Sequence, residues 1–284
     1  MAAPRIGVTG ASGAIGGRVA RALADAGLEQ RLVVRSASRA PRLPGAEVVE
    51  ATYGDREATL RALDGLDVVL MVSAAEDERR LQQHLSFVEA AVEAGVRHLV
   101  YTSFVGASPD AVFTLGRDHG HTEAAIERSV PAWTFLRDNL YADFMPMLAD
   151  EDGVIRGPAG EGRLAAVARD DVAAVAVAVL RDPGQHERKA YALTGPEALT
   201  LAETAAVMTE VLGRPFSFHD ETLEEAYASR AVFGAPQWQL DAWVSTYTAI
   251  RSGEMAAVSD DVERLTGRPA TSLRDLLPRL PLVE

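Results

Sequence analysis

The fold of this chain is decided by the stretch Arg5-Ile6-Gly7-Val8-Thr9-Gly10-Ala11-Ser12-Gly13-Ala14-Ile15-Gly16. Its first five residues are typical of a short buried strand, and the apolar spacing that follows predicts an amphipathic helix from about residue 14 to 26. The glycines between them allow a tight turn and let phosphate oxygens approach the peptide N–H groups at the helix start. A glycine trio alone could mark a plain turn, but this position favours dinucleotide binding. We therefore expect cofactor contacts from Gly10, Ser12, Gly13, Ala14, Ile15 and Gly16.

Further along the chain, short apolar runs alternate with helical patterns. Strands are predicted near 32–34, 47–50, 67–72, 98–102 and 133–136, and a helix is predicted near 122–129. This alternation predicts an α/β fold, a Rossmann-type doubly wound parallel sheet that binds ligands at the carboxyl ends of its strands. After about residue 138 the rhythm loosens. We therefore expect a dinucleotide-binding domain over 1–150 and a smaller, mainly helical substrate lobe over 151–284 that is not independent, with the segment near 163–195 packing back on the first domain.

The end of the second predicted strand indicates which dinucleotide is bound. Sites for NAD usually present an acidic residue there, whereas sites for NADP offer an arginine. Here the strand runs into Arg35, and Ser36 or Arg39 could assist it in binding a 2′-phosphate. The alternative is that these arginines are ordinary solvated surface. We predict NADP(H) as the cofactor.

Composition excludes several classes of function. The net charge of −13 argues against nucleic-acid binding, which needs a concentrated basic surface. The chain has no cysteine, and His119 and His121 have no third ligand at metal-binding spacing, so no metal site is predicted. No apolar run approaches the ~18–20 residues that span a bilayer, and the start leads straight into a strand, so we expect a cytoplasmic protein. A homodimer is compatible with the sequence.

The chain resembles the NmrA-like atypical short-chain dehydrogenases/reductases, and within them the bacterial NADPH-dependent quinone oxidoreductases and triphenylmethane reductases. The resemblance covers nearly the whole chain, and the order and spacing of its motifs carry it. These motifs are the glycine loop, Tyr53-Gly54-Asp55, Gly95-Val96-Arg97-His98, Tyr101-Thr102-Ser103, His119 with Thr122-Glu123, Thr134-Phe135-Leu136-Arg137, Ala168-Arg169-Asp170-Asp171-Val172-Ala173 and Tyr191-Ala192-Leu193-Thr194-Gly195-Pro196.

The resemblance implies further cofactor contacts. Asp55 would lie beside the adenine, Ser73 and Ala74 would border the ribose and pyrophosphate, and Thr102 and Ser103 would approach the nicotinamide side. Each also has a structural alternative. Asp55 could simply cap the helix that follows it, and Ser73 could end a strand.

The usual catalytic pair of short-chain dehydrogenases is missing. None of the six tyrosines has a lysine four residues later. Where many of the resembling quinone reductases have Thr-Glu-Lys, this chain has Thr122-Glu123-Ala124. Catalysis would then rest on the proximity and orientation of a flat acceptor beside the nicotinamide. We predict His119 or Tyr141 as a proton donor, although His119 could equally lie in a solvated loop.

An aromatic acceptor pocket is predicted from Phe104, Asn139, Tyr141, Phe144 and Trp238, although Trp238 could belong to the core of the lobe. The stretch Arg137-Asp138-Asn139-Leu140-Tyr141 departs from the Arg-Asn-Gly-Trp-Tyr of the resembling quinone reductases. The predicted function is NADPH-dependent hydride transfer to a small quinone-like or other flat aromatic acceptor. Two alternatives stay open: a non-catalytic NAD(P)-sensing regulator, and a tailoring enzyme of secondary metabolism on the same fold.

Overall fold

The computed structural model describes residues 4–281. Its strands are β1 (Ile6–Thr9), β2 (Gln30–Val34), β3 (Ala46–Glu50), β4 (Val68–Met71), β5 (His98–Phe104), β6 (Ala132–Asp138), β7 (Val154–Gly157), β8 (Arg163–Leu164), β9 (Lys189–Leu193), β10 (Leu199–Thr200) and β11 (Ser217–Asp220). Its helices are α1 (Ala14–Asp25), α2 (Arg56–Leu63), α3 (Arg80–Glu93), α4 (Thr114–Ser129), α5 (Arg169–Arg181), α6 (Leu201–Leu212), α7 (Leu223–Ala231), α8 (Gln237–Ser252), α9 (Asp261–Thr266) and α10 (Leu273–Leu276).

A seven-stranded sheet has the order β3-β2-β1-β4-β5-β6-β9. Strands β1 to β5 pair in parallel, with Val8 opposite both Leu32 and Leu70. The strand order reverses direction between β1 and β4, which opens a crevice at their carboxyl ends. This arrangement confirms the Rossmann-type, doubly wound fold predicted from the sequence.

The strands form where apolar residues are continuous, and the helices form where apolar residues recur at helical spacing. Every residue of β1, β4 and β5 is buried, as expected for strands covered on both faces. Helix α4 begins at Thr114, eight residues before the predicted start near Thr122. The sequence missed this first half because its buried residues include polar ones such as His119, so the apolar periodicity is interrupted.

Two compact units are present. The first contains residues 4–103, 118–137 and 172–191, and the second contains residues 104–117, 138–171 and 192–281. The sequence predicted a boundary near residue 150, with the segment near 163–195 packing back on the first domain. In the structure residues 172–191 belong to the first unit, and the chain changes unit at the ends of β5 and β6 and within α4, α5 and β9. The reason is that loops after successive parallel strands emerge at one edge of a sheet, and sequence order does not reveal this.

The second unit contains helices α6 to α10 and two small sheets, formed by β10 with β8 and by β11 with β7. Fully buried Asp171 accepts hydrogen bonds from the backbone N–H and hydroxyl of Thr271 at 2.6 and 3.1 Å and pairs with Arg268 at 2.9 Å. These contacts give Asp171, the last residue of the Arg169-Asp170-Asp171 motif, a structural role. None of the helices in residues 4–281 combines the length and apolar character that crossing a lipid bilayer requires.

Candidate functional site

The glycine loop lies between β1 and α1, as predicted. Gly10 has φ +61°, and its carbonyl accepts from Gly13 N at 2.8 Å. A Cβ at Gly16 would lie 2.5 Å from the carbonyl oxygens of both Thr9 and Gly10, so only glycine fits there. Helix α1 starts without a capping side chain from the described residues. Its first N–H groups and its dipole are therefore suited to bind an anion.

A cleft of about 320 Å³ opens beside this loop in the first unit. Eight of the predicted cofactor residues line it: Gly10, Ser12, Gly13, Ala14, Ile15, Arg35, Ser73 and Ala74. The other lining residues are Val33, Arg39, Ala51, Thr52, Tyr53, Val72, Ala75, Glu76, Asp77 and Gln83. Arg35 and Arg39 are both exposed, so one rim of the cleft is cationic. The cleft therefore combines a phosphate-binding loop with two guanidinium groups.

Tyr53 belongs to this cleft for a reason that the sequence does not reveal. Its hydroxyl donates to the carbonyl oxygen of Val72 at 2.6 Å and lies 2.5 Å from Oγ1 of Thr9. The Thr9 hydroxyl in turn accepts from Val72 N at 2.9 Å. Burial raises the pKa of Tyr53, so the phenol stays neutral. These bonds link the ends of β1 and β4 at the crevice.

Four predicted cofactor residues do not line the cleft. Gly16 lies in the first turn of α1, where it makes room for the loop. Asp55 caps α2 by accepting from Ala58 N at 2.9 Å. Thr102 is buried in β5, and its hydroxyl accepts from Ser73 N at 2.8 Å. Cofactor contact by these residues stays a prediction, and Thr102 at least fixes the backbone of a residue that lines the cleft.

Ser103, the fourth of them, is buried in β5 and donates to Oε1 of Glu123 at 2.6 Å. Arg137 binds the same carboxylate through two nitrogens, at 2.9 and 2.7 Å. The hydrogen bond to Glu123 raises the pKa of Arg137. The Glu of the Thr122-Glu123-Ala124 segment is therefore a buried partner of an arginine, and no lysine is needed to neutralise it.

His119 lies inside a buried network of the first unit and is 5% exposed. Its Nε2 lies 2.8 Å from Nη2 of Arg80, and its Nδ1 lies 2.8 Å from the hydroxyl of Tyr101. A guanidinium can only donate, so Nε2 must accept and Nδ1 must carry the proton. Burial and the neighbouring charge of Arg80 hold the pKa of His119 well below its usual value. The ring is neutral and both of its nitrogens are engaged.

The same network holds the loop after β4. Nε2 of His84 accepts from Ala74 N at 2.9 Å, and Arg80 donates from Nε to the Ala74 carbonyl at 2.9 Å. Arg80 also pairs with Asp118 at 3.2 Å. Both backbone polar groups of a cleft-lining residue are thus fixed by α3. The sequence analysis missed Arg80 and His84 because only the packing of α3 reveals their role.

Tyr141 lies in the second unit, directly after β6. Its hydroxyl oxygen lies 2.9 Å from Oδ2 of Asp138, within hydrogen-bond distance. The guanidinium of Arg169 lies over the ring of Phe144 at 4.0 Å and over the ring of Tyr141 at 5.2 Å. Tyr141 is half-buried and Phe144 is exposed. The structure therefore brings two predicted residues together and adds Asp138 and Arg169, which the sequence analysis did not select.

The remaining predicted acceptor residues lie in the second unit. Phe104 is buried against Phe113, with ring centroids 4.9 Å apart. Asn139 is buried, and its amide donates to the carbonyl oxygen of Met255 at 3.0 Å. Trp238 lies half-buried on α8. A substrate role for these three residues stays a prediction. In residues 4–281, no cluster of three or more His, Asp or Glu side chains could hold a metal ion.

Comparison with known proteins agrees with this geometry. The model of a family described as NAD(P)H-binding matches residues 10–183. The (4-alkanoyl-5-oxo-2,5-dihydrofuran-3-yl)methyl phosphate reductase of Streptomyces griseus is 39% identical over 277 residues, which are 94% of this chain and 95% of that protein. Among solved structures, the NADPH-dependent quinone oxidoreductase of Escherichia coli complexed with NADPH is 30% identical, with a TM-score of 0.87 over 96% of this chain and 99% of that one. The Citrobacter triphenylmethane reductase complexed with NADP(H) is 31% identical, with a TM-score of 0.86 over 97% and 100%. These likenesses confirm the resemblance inferred from the motifs.

Proposed function

The chain belongs to the NAD(P)H-binding family, and from that premise we propose that it is an NADPH-dependent oxidoreductase that reduces a quinone-like or other flat conjugated acceptor. The observation that carries the proposal is the cleft of the first unit, which joins the glycine loop to Arg35 and Arg39. When bound, NADPH supplies a hydride from its nicotinamide ring. The chain has to bind it, orient it and manage one proton.

The cleft supports the choice of cofactor. The N–H groups at the start of α1 suit the pyrophosphate, because the helix dipole and the unpaired donors both favour an anion. Arg35 and Arg39 suit the 2′-phosphate that distinguishes NADPH from NADH, because guanidinium groups form charge-assisted bonds to phosphate. No acidic side chain follows β2 to bind a free ribose hydroxyl, since the next residues are Arg35 and Ser36.

Reduction of a quinone or a related acceptor also consumes a proton. We assign its delivery to Tyr141, which is half-buried beside an exposed aromatic side chain. His119 receives a positioning role instead, because its neutral ring is held by Arg80 and Tyr101. If His119 gave up its Nδ1 proton, it would break the hydrogen bond with Tyr101 that holds the ring in the network.

A second acceptor class is favoured by the 39% identity with the Streptomyces griseus reductase over nearly the full length of both chains. That enzyme is named for an unsaturated lactone phosphate. The same hydride and proton chemistry would reduce the conjugated double bond of such a lactone, so this candidate places the chain among tailoring enzymes. The two acceptor classes share the cofactor cleft and differ only in what is reduced.

The test measures NADPH oxidation by absorbance with quinones, triphenylmethane dyes and an acyl-butenolide phosphate as acceptors. Calorimetric titration with NADPH and with NADH measures the binding of each cofactor. We expect turnover of at least one acceptor, and we expect NADPH to bind more tightly than NADH. Turnover of the lactone alone would select the second acceptor class. Tight NADPH binding without turnover of any acceptor would contradict the reductase function and support a dinucleotide sensor.

A further inference from the structure

Asp138 is a buried carboxyl group at the end of β6, and it is 2% exposed. Its Oδ2 lies 2.9 Å from the hydroxyl oxygen of Tyr141, while its Oδ1 has no hydrogen-bond partner in the part of the chain that the structure describes. The charged groups that face the pair are Asp143, from the 3₁₀ segment after Tyr141, and Arg169, from the start of α5. The carboxyl group is thus buried with a single neutral partner.

Ionisation of Asp138 would leave a buried charge that has no ion-pair partner in residues 4–281. Arg169 forms no ion pair with Asp138 in residues 4–281 and instead lies over aromatic rings. Burial raises the pKa of Asp138 well above its usual range, and the hydrogen bond with Tyr141 only partly opposes this. An isolated buried carboxylate is strongly disfavoured and takes up a proton instead. The neutral acid is the form that the site accommodates.

The protonation state decides the direction of the 2.9 Å hydrogen bond. A carboxylate can only accept, so it would hold the proton of Tyr141. A neutral acid with its proton on Oδ2 can donate to Oη, which leaves the tyrosine proton available to another acceptor. Oδ1 is then a carbonyl oxygen, and an unpartnered carbonyl oxygen is less costly than an unpartnered charge.

We propose that Asp138 is a positioning residue that acts as a neutral acid, donating a hydrogen bond to Tyr141 so that the tyrosine gives its own proton to the reduced acceptor. This inference rests on the proposed function. It differs from the sequence prediction, which named His119 or Tyr141 as the proton donor and mentioned Asp138 only within a stretch that departs from a motif.

The proton and electron balance is as follows. The hydride adds to one end of the conjugated acceptor, and the displaced electron pair settles on its carbonyl oxygen. The O–H bond of Tyr141 breaks and its proton moves to that oxygen. The negative charge left on Oη is stabilised by the O–H of Asp138, and water then returns a proton to the tyrosine. The acceptor has gained a hydride and a proton, NADPH has become NADP⁺, and Asp138 is unchanged.

The first test reads the carboxyl group directly and needs no turnover. Infrared spectra of the ligand-free protein at neutral pH would be compared for wild type, Asp138→Asn and the neighbouring control Asp143→Asn. We expect the carbonyl stretch of a neutral carboxylic acid in wild type and in the control, and its loss in Asp138→Asn. If the wild-type minus Asp138→Asn difference shows an ionised carboxylate band instead, the inference is overturned whatever the enzyme reduces.

The second test reads the pH profile of kcat on an acceptor that is turned over. Wild-type activity should fall as the pH rises through ionisation of Asp138, because the ionised form holds back the tyrosine proton. Asp138→Asn should lack this alkaline fall, since an amide N–H also donates. Asp138→Ala and Tyr141→Phe should each lower kcat on the order of 100-fold, the lower end for a positioned general acid.

Two controls separate the outcomes. NADPH affinity and thermal unfolding of each variant show whether it folds and binds cofactor. An alkaline rise in kcat that Asp138→Asn removes, or full activity of Tyr141→Phe, would overturn the inference. If no acceptor is turned over, the proposed function fails while the infrared result alone decides the state of Asp138.

Discussion

Single residues in and beside the cofactor cleft owe their roles to backbone geometry or to charge. Gly16 has its position because two carbonyl oxygens lie where its Cβ would be. Arg35 and Arg39 need no such precision, because long cations on an exposed rim can reach a phosphate from several conformations. Substitution of Gly16 should therefore disturb the backbone of the loop, whereas substitution of the arginines should change only the affinity for the phosphate.

Gly16→Ala tests the steric requirement. The added Cβ would lie 2.5 Å from two carbonyl oxygens, so the glycine loop has to shift. We expect the free energy of unfolding to fall by about 1–3 kcal/mol, as for other overpacked sites, together with a marked loss of NADPH binding in calorimetry. Gly54→Ala is the control, because a Cβ there would meet nothing closer than 3.9 Å. Equal NADPH affinity of both variants and wild type would contradict the proposed loop.

Replacing Arg35 and Arg39 by serine tests the cofactor preference. Two charge-assisted bonds to the 2′-phosphate would be lost, and each is worth about 1.5–3 kcal/mol. We expect the Kd for NADPH to rise by about 100-fold or more, with little change in the Kd for NADH. Arg61→Ser on α2 provides an exposed-arginine control. A parallel loss of both cofactors in the double variant would show that these arginines do not read the 2′-phosphate.

At the scale of elements, α3 does more than cover the sheet. It contributes Arg80 and His84, which together bind both backbone groups of Ala74. A loop at a strand end would otherwise be free to move, and a cleft lined by a moving loop binds its ligand less tightly. Helix α3 is therefore part of the cofactor site without lining it with these two side chains.

Arg80→Met should loosen this loop. The change leaves Asp118 and His119 without their buried partner, and because Asp118 is 23% exposed we expect a loss of about 2–4 kcal/mol in stability, near the lower end for a broken buried pair. The Kd for NADPH should rise as well, while the pH profile of kcat should keep its shape. Arg79→Met is the matched control, since Arg79 is the exposed neighbour. Tm and calorimetric titration check both effects.

For the molecule as a whole, the buried histidines of the first unit link stability to pH. Nε2 of His98 lies 2.8 Å from Oγ1 of Thr134, and burial, helped by the charge of His186, lowers the pKa of His98 to about 4. His84 and His119 also have pKa values well below the usual one, chiefly through burial. Below about pH 6.5 the unfolded chain therefore binds more protons than the folded chain.

The contribution of these histidines to the free energy of unfolding should consequently be fully present above about pH 6.5. It should decrease as the pH falls toward about 4. His98 alone should account for about 2 kcal/mol between about pH 7.5 and about pH 5. Urea unfolding at the two pH values measures this. His98→Gln should reduce the difference, whereas His121→Gln, at an exposed position, should retain it. An unchanged pH dependence in His98→Gln would show that His98 is not the linked group.

The sequence alone determined the glycine loop, the doubly wound sheet and the arginine after β2, because each depends on residues close together in the chain and on a periodicity that burial imposes. The tertiary structure decided the rest. Tyr53 joins the cleft through Thr9 and Val72, His119 becomes part of a network with Arg80, and Asp138 is buried beside Tyr141. These roles depend on desolvation and on partners from distant segments, and neither quantity exists until the chain has folded.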